Sequence, residues 1–341
     1  MRASVISREW RAPARYTRPD PVCIQIGMTR LVDIIEVSPR DGLQNESAQL
    51  STSQKLELIE RAILMGARRI EVTSFVNPRL VPQMADAEAV VAGLPDRRDV
   101  RFIGLCLNER GVQRALAASA ESGRGLDEIG CVLVATDSFG IANQNQTVTQ
   151  GLSVNRAMIK AAKASGLNAQ VTIAGSFGCP FEGPVSEDHV IGLAEAMVDA
   201  GAEEVAFADT VGVAVPTQVA SMINTARKRF GETVPIRVHL HDTRGMATAN
   251  AWAAWQEGCT RFDSAIGGLG GCPFAPKAAG NVATEELIYM FERSGISTGL
   301  SLQEALAANA WLAEAMGRPL PSRVGRAGDF LPQAQHQREC A

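Results

Sequence analysis

The sequence predicts an α/β protein, a (β/α)8 TIM barrel with an additional C-terminal helical segment. Short apolar runs alternate with helical patterns at a repeat of about 30 residues, which is typical of parallel βα units. The repeat occurs eight times, and eight units close such a sheet into a barrel. The alternative is an open doubly wound sheet, which normally has a GxGxxG turn after its first strand. Pro39-Arg40-Asp41-Gly42 has no such spacing.

Each predicted strand is a short apolar run, and each is followed by a segment with helical periodicity. The predicted strands are 31–37, 70–73, 101–105, 129–134, 169–174, 204–208, 236–240 and 262–266. The predicted helices are 51–66, 83–93, 109–120, 151–165, 186–200, 216–230, 246–257 and 281–293. Ser51 to Gln54 fits a capping box that begins the first helix. The polar residues 143–146 are predicted to form a loop.

The barrel is predicted to occupy residues 29–300. Residues 1–28 are rich in arginine, poor in acids and lack apolar periodicity, which predicts a disordered N-terminal extension without catalytic duty. There are two alternatives: residues 1–28 form a transit peptide, or translation naturally starts at Met28. Residues 301–320 are predicted to form a C-terminal helical cap, and 321–341, with proline and glutamine, a loose tail.

Composition excludes several classes of protein. Hydrophobic residues make up 46% and charged residues 21% of the 341, enough to bury a full core. The net charge of −4 and the absence of a long apolar run argue against a nucleic-acid or membrane partner. The seven cysteines are scattered and form no CxxC pair, which favours reduced thiols in the cytoplasm over a zinc ribbon or a disulfide scaffold.

The predicted seventh strand contains two of the four histidines in the chain. Because side chains alternate along a strand, His239 and His241 point the same way, while Val238 and Leu240 point to the other side. Two imidazoles on one face of a rigid strand favour a shared metal ion. The alternative is a pair of solvent-facing or core histidines.

Other polar residues lie on or just after predicted strands, whose carboxyl ends meet at one rim of a barrel. Asp41 and Asn281, together with the two histidines, would form a mixed nitrogen and oxygen site that suits magnesium or manganese, although zinc and cobalt also accept imidazole. Asp41 is alternatively a simple turn residue, and Arg40 its pairing partner. Glu71 lies within a strand, where a carboxylate is unusual, and this favours a functional or supporting role.

Four glycines in five residues, 267, 268, 270 and 271, precede Cys272. Such a run favours either a flexible lid or a phosphate cradle, because glycine permits close backbone approach. Cys272 at its end is suited to acid–base work if its pKa is tuned, whereas the alternative is a small buried filler. Cys179 stands in a similar Gly-Cys-Pro-Phe segment without the glycine run, which favours the filler role there.

Together these motifs resemble the hydroxymethylglutaryl-CoA lyase family, over residues 31–316. The resemblance rests on the following segments: 37–46 (VSPRDGLQNE), 71–76 (EVTSFV), 81–84 (VPQM), 209–212 (DTVG), 239–243 (HLHDT) and the glycine–cysteine loop 267–273. The glycine–cysteine loop is highly specific to the family. The HxHD strand is shared with a wider barrel group that includes isopropylmalate synthase.

The resemblance implies a retro-Claisen lyase dependent on a divalent metal, Mg or Mn, that splits 3-hydroxy-3-methylglutaryl-CoA into acetyl-CoA and acetoacetate. It implies an acyl-CoA substrate and a homo-oligomer, a dimer, as partners. The implied metal ligands are Asp41, His239, His241 and Asn281. The implied catalytic residues are Arg40, which stabilises the enolate, Asp41, Cys272, the acid–base, and Glu71, a supporting carboxylate. The implied substrate contacts are Arg40, Gln44, Arg244 and Asn309.

Several positions depart from the family pattern: Ser47, Ala206, Arg244, Met246 and the loop 140–145, which lacks the expected lysines. They lie near the expected acyl or CoA-binding region, so another 3-hydroxyacyl-CoA is an alternative substrate. A Claisen synthase or pyruvate-type aldolase is a further alternative, against which the cysteine loop argues. A catalytically silent barrel that acts as a binding protein is another, and the intact set of site residues argues against it.

Overall fold

The computed structural model of the protein describes residues 31–271 and 280–330. The predicted extension at 1–28, Cys272 and residues 331–341 of the predicted tail therefore lie outside the described residues. Eight parallel strands form a closed barrel in sequence order, and β8 pairs with β1, which confirms the predicted fold. The strands are β1 (Asp33–Glu36), β2 (Arg69–Ser74), β3 (Arg101–Cys106), β4 (Glu128–Val134), β5 (Asn168–Ala174), β6 (Glu204–Asp209), β7 (Ile236–Leu240) and β8 (Arg261–Ser264).

The helices surround the barrel and pack their apolar faces on the outward side chains of the strands. They are α1 (Thr52–Met65), α2 (Ala87–Ala92), α3 (Glu109–Glu121), α4 (Asp137–Gln144), α5 (Val148–Ala164), α6 (Glu187–Asp199), α7 (Pro216–Phe230), α8 (Ala247–Gln256), α9 (Thr284–Arg293), α10 (Leu302–Met316) and α11 (Arg323–Ala327). The capping box at Ser51 and Gln54 is present as predicted. Among the described helices, none combines the length and the apolar character that a bilayer crossing requires.

The polar segment after β4 agrees only in part with its prediction as a loop. Residues 137–144 form α4, which ends at Asn145 in the left-handed conformation with φ of 56°. Asparagine tolerates this conformation because its short side chain is polar and unbranched at Cβ. Thr147 then caps the next helix and forms a capping box with Gln150. Of the predicted loop 143–146, residues 143 and 144 are therefore the end of α4, whereas 145 and 146 lie in the short connection to α5 as predicted.

The C-terminal part of the chain also differs from its prediction. Residues 323–327, placed in the loose tail, form α11, and the backbone N–H of Ser322 donates to the carbonyl of Gly267 at 3.0 Å. Arg323 pairs with Asp242 at 2.7 Å, just after β7. Residues 322–327 are thus attached to the carboxyl-terminal face of the barrel.

The two ends of the barrel interior have different chemistry. Toward the amino ends of the strands lies a buried network of ion pairs, in which Arg69 contacts Glu128 and Glu204, and Arg237 contacts Glu204 and Asp263. At the carboxyl ends lie the two histidines of β7 and the residues that follow β1. Asp263 connects the two ends, because its carboxylate contacts both Arg237 of the network and His239 of β7.

Candidate active site

The two histidines of β7 project into the mouth of the barrel, side by side. Their Nε2 atoms are 3.1 Å apart, and both side chains are buried. The alternating residues Val238 and Leu240 belong to the apolar core outside the barrel. The prediction that both imidazoles share one face is confirmed.

Asp41 reaches the histidines from a single π-helical turn, Ser38–Gly42, that follows β1. The backbone N–H groups of residues 40, 41 and 42 all donate to the carbonyl of Val37, which fixes this turn at the barrel mouth. The Asp41 carboxylate lies 3.8 Å from Nε2 of His239, and the ligand atoms of Asp41, His239 and His241 all lie within 4.8 Å of one another. Residues from two distant parts of the sequence, the turn after β1 and the end of β7, therefore present potential metal ligands to one point.

Asn281 completes this group, although its position differs from that predicted. The last barrel helix begins at Thr284, so Asn281 lies in extended chain and forms an isolated bridge with His241. Its amide nitrogen donates to Asp41 at 2.7 Å and to the carbonyl of Leu269 at 3.0 Å. Its carbonyl oxygen is buried and accepts no hydrogen bond from the described residues.

Arg40 lies beside the same point, between two carboxylates. Its Nε donates to Glu71 of β2 and its Nη1 donates to Asp41 at 2.5 Å. Burial raises the pKa of Glu71, and the positive charge of Arg40 opposes that rise. The two carboxylates hold the guanidinium in one orientation at the centre of the barrel mouth.

The pKa values of the three potential ligands are shifted in different directions. Burial would raise the pKa of Asp41, but the positive charges of Arg40 and the histidines hold it well below its usual range. Burial and the charge of His239 lower the pKa of His241 to about 4. Burial also lowers the pKa of His239, but the hydrogen bond with Asp263 and the charge of Asp41 outweigh it and raise the pKa overall. At neutral pH Asp41 is therefore ionised and His241 is neutral, which are the forms that bind a metal.

The residues present fit a divalent cation. Adjacent ligands of an ion such as magnesium, each about 2.1 Å from it, lie about 3 Å apart, and the two Nε2 atoms are 3.1 Å apart. Nδ1 of His241 and the carbonyl oxygen of Asn281 are buried without a hydrogen-bond partner among the described residues, which is costly unless another group satisfies them. One carboxylate, one amide oxygen and two imidazoles form a donor set that suits a divalent metal.

Sequence reasoning missed Asp263, which contacts His239. The Oδ2 atom of Asp263 lies 3.0 Å from Nδ1 of His239, and its carboxylate also accepts from Arg237. Burial would raise the pKa of Asp263, but Arg237 and His239 lower it overall. A carboxylate within the predicted eighth strand was a usable signal, because an acid inside a barrel strand is unusual, as it is for Glu71. Its register opposite His239 is seen only in the structure.

A cavity of about 160 Å³ opens above this group at the carboxyl ends of the strands. Its polar lining is Arg40, Asp41, Gln44, Asn45, Glu71, Asn143, Gln144, Thr172, Thr210, His239, His241 and Asp263. Its remaining lining is Leu105, Leu107, Val132, Phe139, Ala174, Ala208 and Gly271. The cavity thus combines an apolar wall from β3 and β4 with convergent charged groups, as small-molecule sites commonly do.

The predicted substrate contacts divide into two groups. Arg40 and Gln44 line this cavity, and so does Gly271, which precedes Cys272 and accepts a hydrogen bond from Asn45 at 2.9 Å. Arg244 is not among the described residues that line it. Its Nη1 donates to the carbonyls of Val211 at 3.1 Å and Gly212 at 2.7 Å, which lie after β6.

The structure does not place Asn309 in this group either. It lies on α10, where its amide donates to the buried carboxylate of Glu285 at 2.9 Å. Because Glu285 in turn accepts from the backbone N–H of Gly267, Asn309 supports the start of the glycine run. That position gives no support to a direct substrate contact.

Comparison with known proteins gives a consistent set of relatives. The model of the HMGL-like family matches residues 31–311. The chain is 45% identical to the (R)-citramalyl-CoA lyase of Chloroflexus aurantiacus, over 89% of this chain and 96% of that protein. It is 38% identical to a hydroxymethylglutaryl-CoA lyase of Bacillus subtilis, over 86% of this chain and 95% of the relative.

Solved structures show the same similarity. The crystal structure of the Bacillus subtilis HMG-CoA lyase superposes with a TM-score of 0.83 and 37% identity, covering 87% of this chain and 98% of that one. An HMG-CoA lyase from Acinetobacter baumannii, in complex with coenzyme A and 3-methylmalate, also has a TM-score of 0.83, at 36% identity over 89% of this chain and 98% of that one.

Proposed function

The chain belongs to the HMGL-like family, and from that premise we propose that it is a divalent-metal-dependent lyase that cleaves a 3-hydroxy-3-methylacyl-CoA by a retro-Claisen reaction. The observation that supports the proposal best is the convergence of His239, His241 and Asp41 beside the guanidinium of Arg40. The relatives named above, as carbon–carbon lyases, support the same reaction class.

The proposed mechanism assigns a separate task to each side chain. His239, His241, Asp41 and Asn281 would hold the ion, which when bound would supply a Lewis acid that favours ionisation of the substrate hydroxyl. Arg40 lies where it would stabilise the negative charge that develops on the thioester oxygen as the carbon–carbon bond breaks. Glu71 holds Arg40 in place. Cys272, next to the cavity-lining Gly271, would as a thiolate accept the proton of the substrate hydroxyl, and as a thiol would return it to the enolate carbon after the carbon–carbon bond breaks.

Two candidate substrates share the reacting group. In both 3-hydroxy-3-methylglutaryl-CoA and citramalyl-CoA, the carbon of a tertiary alcohol is bonded directly to the CH2 next to the thioester carbonyl. They differ by one methylene between the alcohol carbon and the free carboxylate. Cleavage gives acetyl-CoA with acetoacetate from the first and with pyruvate from the second. The higher identity to the citramalyl-CoA lyase favours the shorter substrate.

The decisive experiment measures both the reaction and its metal dependence. The protein is stripped of metal with a chelator, given Mg²⁺ or Mn²⁺, and assayed with each thioester for acetyl-CoA and the matching keto acid. We expect cleavage only with metal, and a higher kcat/KM for citramalyl-CoA. A difference of one methylene is worth roughly 10–200-fold in kcat/KM, which the assay resolves easily.

Variants separate the site from the fold. His241→Ala should lower turnover by orders of magnitude, of the kind seen when an electrostatic stabiliser is removed, because a ligand is lost. His189→Ala is the matched control, since His189 lies exposed on α6 and, within the described part of the chain, its imidazole has a single hydrogen-bond partner, the carbonyl of Ala135. Full turnover after complete chelation would contradict the metal role, and cleavage of neither thioester would favour a synthase or a silent barrel.

A further inference from the structure

Glu36, the last residue of β1, is a fully buried acid. The side chain of Ile34 packs in the apolar core outside the barrel, and alternation along the strand turns Glu36 to the same side. Within residues 31–271 and 280–330 no cation pairs with it. A buried acid without a counter-charge is costly, so an apolar residue would suit this position better unless the carboxyl group has a function.

The carboxyl group of Glu36 has three hydrogen-bond donors, each at the start of a different segment. Its Oε1 accepts from the backbone N–H of Ser38 at 2.9 Å and from that of Ile266 at 3.1 Å. Its Oε2 accepts from the hydroxyl of Thr284 at 2.7 Å. Ser38 begins the turn after β1, Ile266 immediately precedes the glycine run, and Thr284 begins α9. One side chain therefore connects segments that lie up to 248 residues away from it in the sequence.

The same three segments carry the site at the mouth of the barrel. The turn after β1 carries Arg40 and Asp41, the glycine run leads to the cavity-lining Gly271, and the chain just before α9 carries Asn281. Further bonds join the segments there, since Asn281 donates to Asp41 at 2.7 Å and Asn45 donates to the carbonyl of Gly271 at 2.9 Å. The bonds of Glu36 therefore hold together, at their bases, the segments that form the site.

We propose that Glu36 is a positioning residue for the metal ligands and for the reaction, which fixes Asp41, Asn281 and the glycine run relative to one another. The inference rests on the proposed function, because it takes these segments to hold the ion and the acid–base. Glu36 itself does not touch the reacting atoms, since it is fully buried and does not line the cavity. Fixing of this kind matters because a displacement of about 1 Å can cost on the order of 100-fold in rate.

Two substitutions of Glu36 separate its hydrogen bonds from its charge. Glu36→Met has a similar length but replaces both oxygens by a thioether, which is a weak acceptor. Glu36→Gln loses the charge but keeps an oxygen that can accept from Ser38 and Ile266. Its amide N–H can donate to the hydroxyl of Thr284, because that hydroxyl can instead donate to Ser264, 2.8 Å away.

We expect Glu36→Met to weaken binding of Mn²⁺ to the metal-free protein by about 10–100-fold, measured by calorimetric titration. It should also lower kcat for the preferred thioester on the order of 100-fold, with KM little changed, because the acting groups are displaced rather than removed. Glu36→Gln should remain close to the parent in both measurements. A side chain that served only the fold would change neither quantity in the folded protein.

Asp33→Leu is the matched control. Asp33 is an acid on the same strand but at the opposite end of the barrel, where Arg69 and Arg261 lie 3.8 and 3.9 Å away. It should leave the affinity for Mn²⁺ and kcat unchanged. Thermal melting shows which variants are folded. If Glu36→Met does not fold, Glu36→Asp, which is too short to reach all three donors, and Thr284→Val, which removes one donor, should show smaller losses of the same kind.

Hydrogen exchange follows the three segments without metal or substrate. Amide exchange at residues 38–46 and 265–271 should be faster in Glu36→Met than in the parent, and unchanged in α5. Parental affinity for Mn²⁺ and parental kcat in folded Glu36→Met, or in the two milder variants where they replace it, would overturn the proposal. An equal loss in Glu36→Gln would overturn it too. Weaker Mn²⁺ binding by Glu36→Met, with a parent that cleaves neither thioester, would support the positioning role and contradict only the proposed reaction.

Discussion

At the residue scale, the two histidines of β7 have different surroundings. Nδ1 of His239 is hydrogen-bonded to Asp263, whose carboxylate is held by Arg237, whereas Nδ1 of His241 has no partner among the described residues. The carboxylate fixes the ring of His239 with Nε2 directed at Asp41. Contacts of this kind orient metal ligands and raise their basicity.

We predict that Asp263→Asn weakens binding of Mn²⁺ by about 10–100-fold, because the amide no longer favours one tautomer of His239. Calorimetric titration of the metal-free protein measures the dissociation constant. Asp33→Asn is the control, since Asp33 belongs to the charged network at the opposite end of the barrel. An unchanged affinity in Asp263→Asn would show that the ring of His239 needs no such support.

We also predict that Arg40→Met lowers kcat far more than it raises KM. The guanidinium is held by Glu71 and Asp41 at the site where charge would develop, so its loss should affect the transition state more than the bound substrate. Steady-state kinetics with the preferred thioester checks this. A large rise in KM with kcat unchanged would make Arg40 an anchor for the substrate instead.

At the element scale, two buried acids hold the start of the glycine loop. Glu36 accepts from the backbone N–H of Ile266, and Glu285 accepts from that of Gly267. Gly267 has a φ of 73°, and a Cβ at this position would lie 2.3 Å from Leu320, so glycine is required there. The start of the run is therefore tightly packed, in contrast to the flexible lid that was one expectation from sequence.

Burial, with the nearby charge of Glu36, raises the pKa of Glu285 from 4.5 to about 7. The unfolded chain releases this proton near pH 4.5, but the folded protein keeps it until about pH 7. The contribution of Glu285 to stability is therefore full below pH 4.5, falls as the pH rises through this window, and stays low above it.

We predict that Glu285→Gln, which cannot ionise, loses this part of the pH dependence. Relative to the parent, its free energy of unfolding should rise by on the order of 3 kcal/mol between pH 4.5 and pH 7.5. Denaturant titrations at a series of pH values measure it. The exposed Glu314→Gln on α10 should follow the parent at every pH. Parallel curves for Glu285→Gln and the parent would contradict the prediction.

At the scale of the whole molecule, buried ion pairs connect strands across the barrel interior. Arg69 of β2 pairs with Glu128 of β4 and Glu204 of β6, and Arg237 of β7 pairs with Glu204 and with Asp263 of β8. Removing one cation would leave buried carboxylates without a counter-charge, which is strongly unfavourable.

We predict that Arg69→Met lowers the free energy of unfolding by about 3–5 kcal/mol. The neighbouring Arg68→Met is the control, because the Arg68 side chain is 52% exposed and its pairing with Asp99 is solvated. Urea denaturation of both variants gives the comparison. A loss in Arg69→Met no larger than in Arg68→Met would show that the network adds little to the stability of the barrel.

The sequence by itself determined the features that depend on neighbouring residues. Hydrophobic periodicity predicted the eight strands and most helices, the capping box at Ser51 located the start of α1, and alternation along β7 placed His239 and His241 on one face. These patterns are local, because strand and helix geometry repeats over a few residues. The motifs around Arg40 and Asp41 also pointed to the correct family.

Only the tertiary structure decided which distant residues meet. Asp263 reaches His239 because the register of β7 and β8 places the two residues opposite each other, and no local pattern specifies a register. Asp41 meets His239 and His241 because the turn after β1 and the end of β7 reach the same mouth of the barrel, whereas Asn309 lies on a helix that holds it against Glu285. Such contacts depend on how the barrel closes, which is a property of the whole chain.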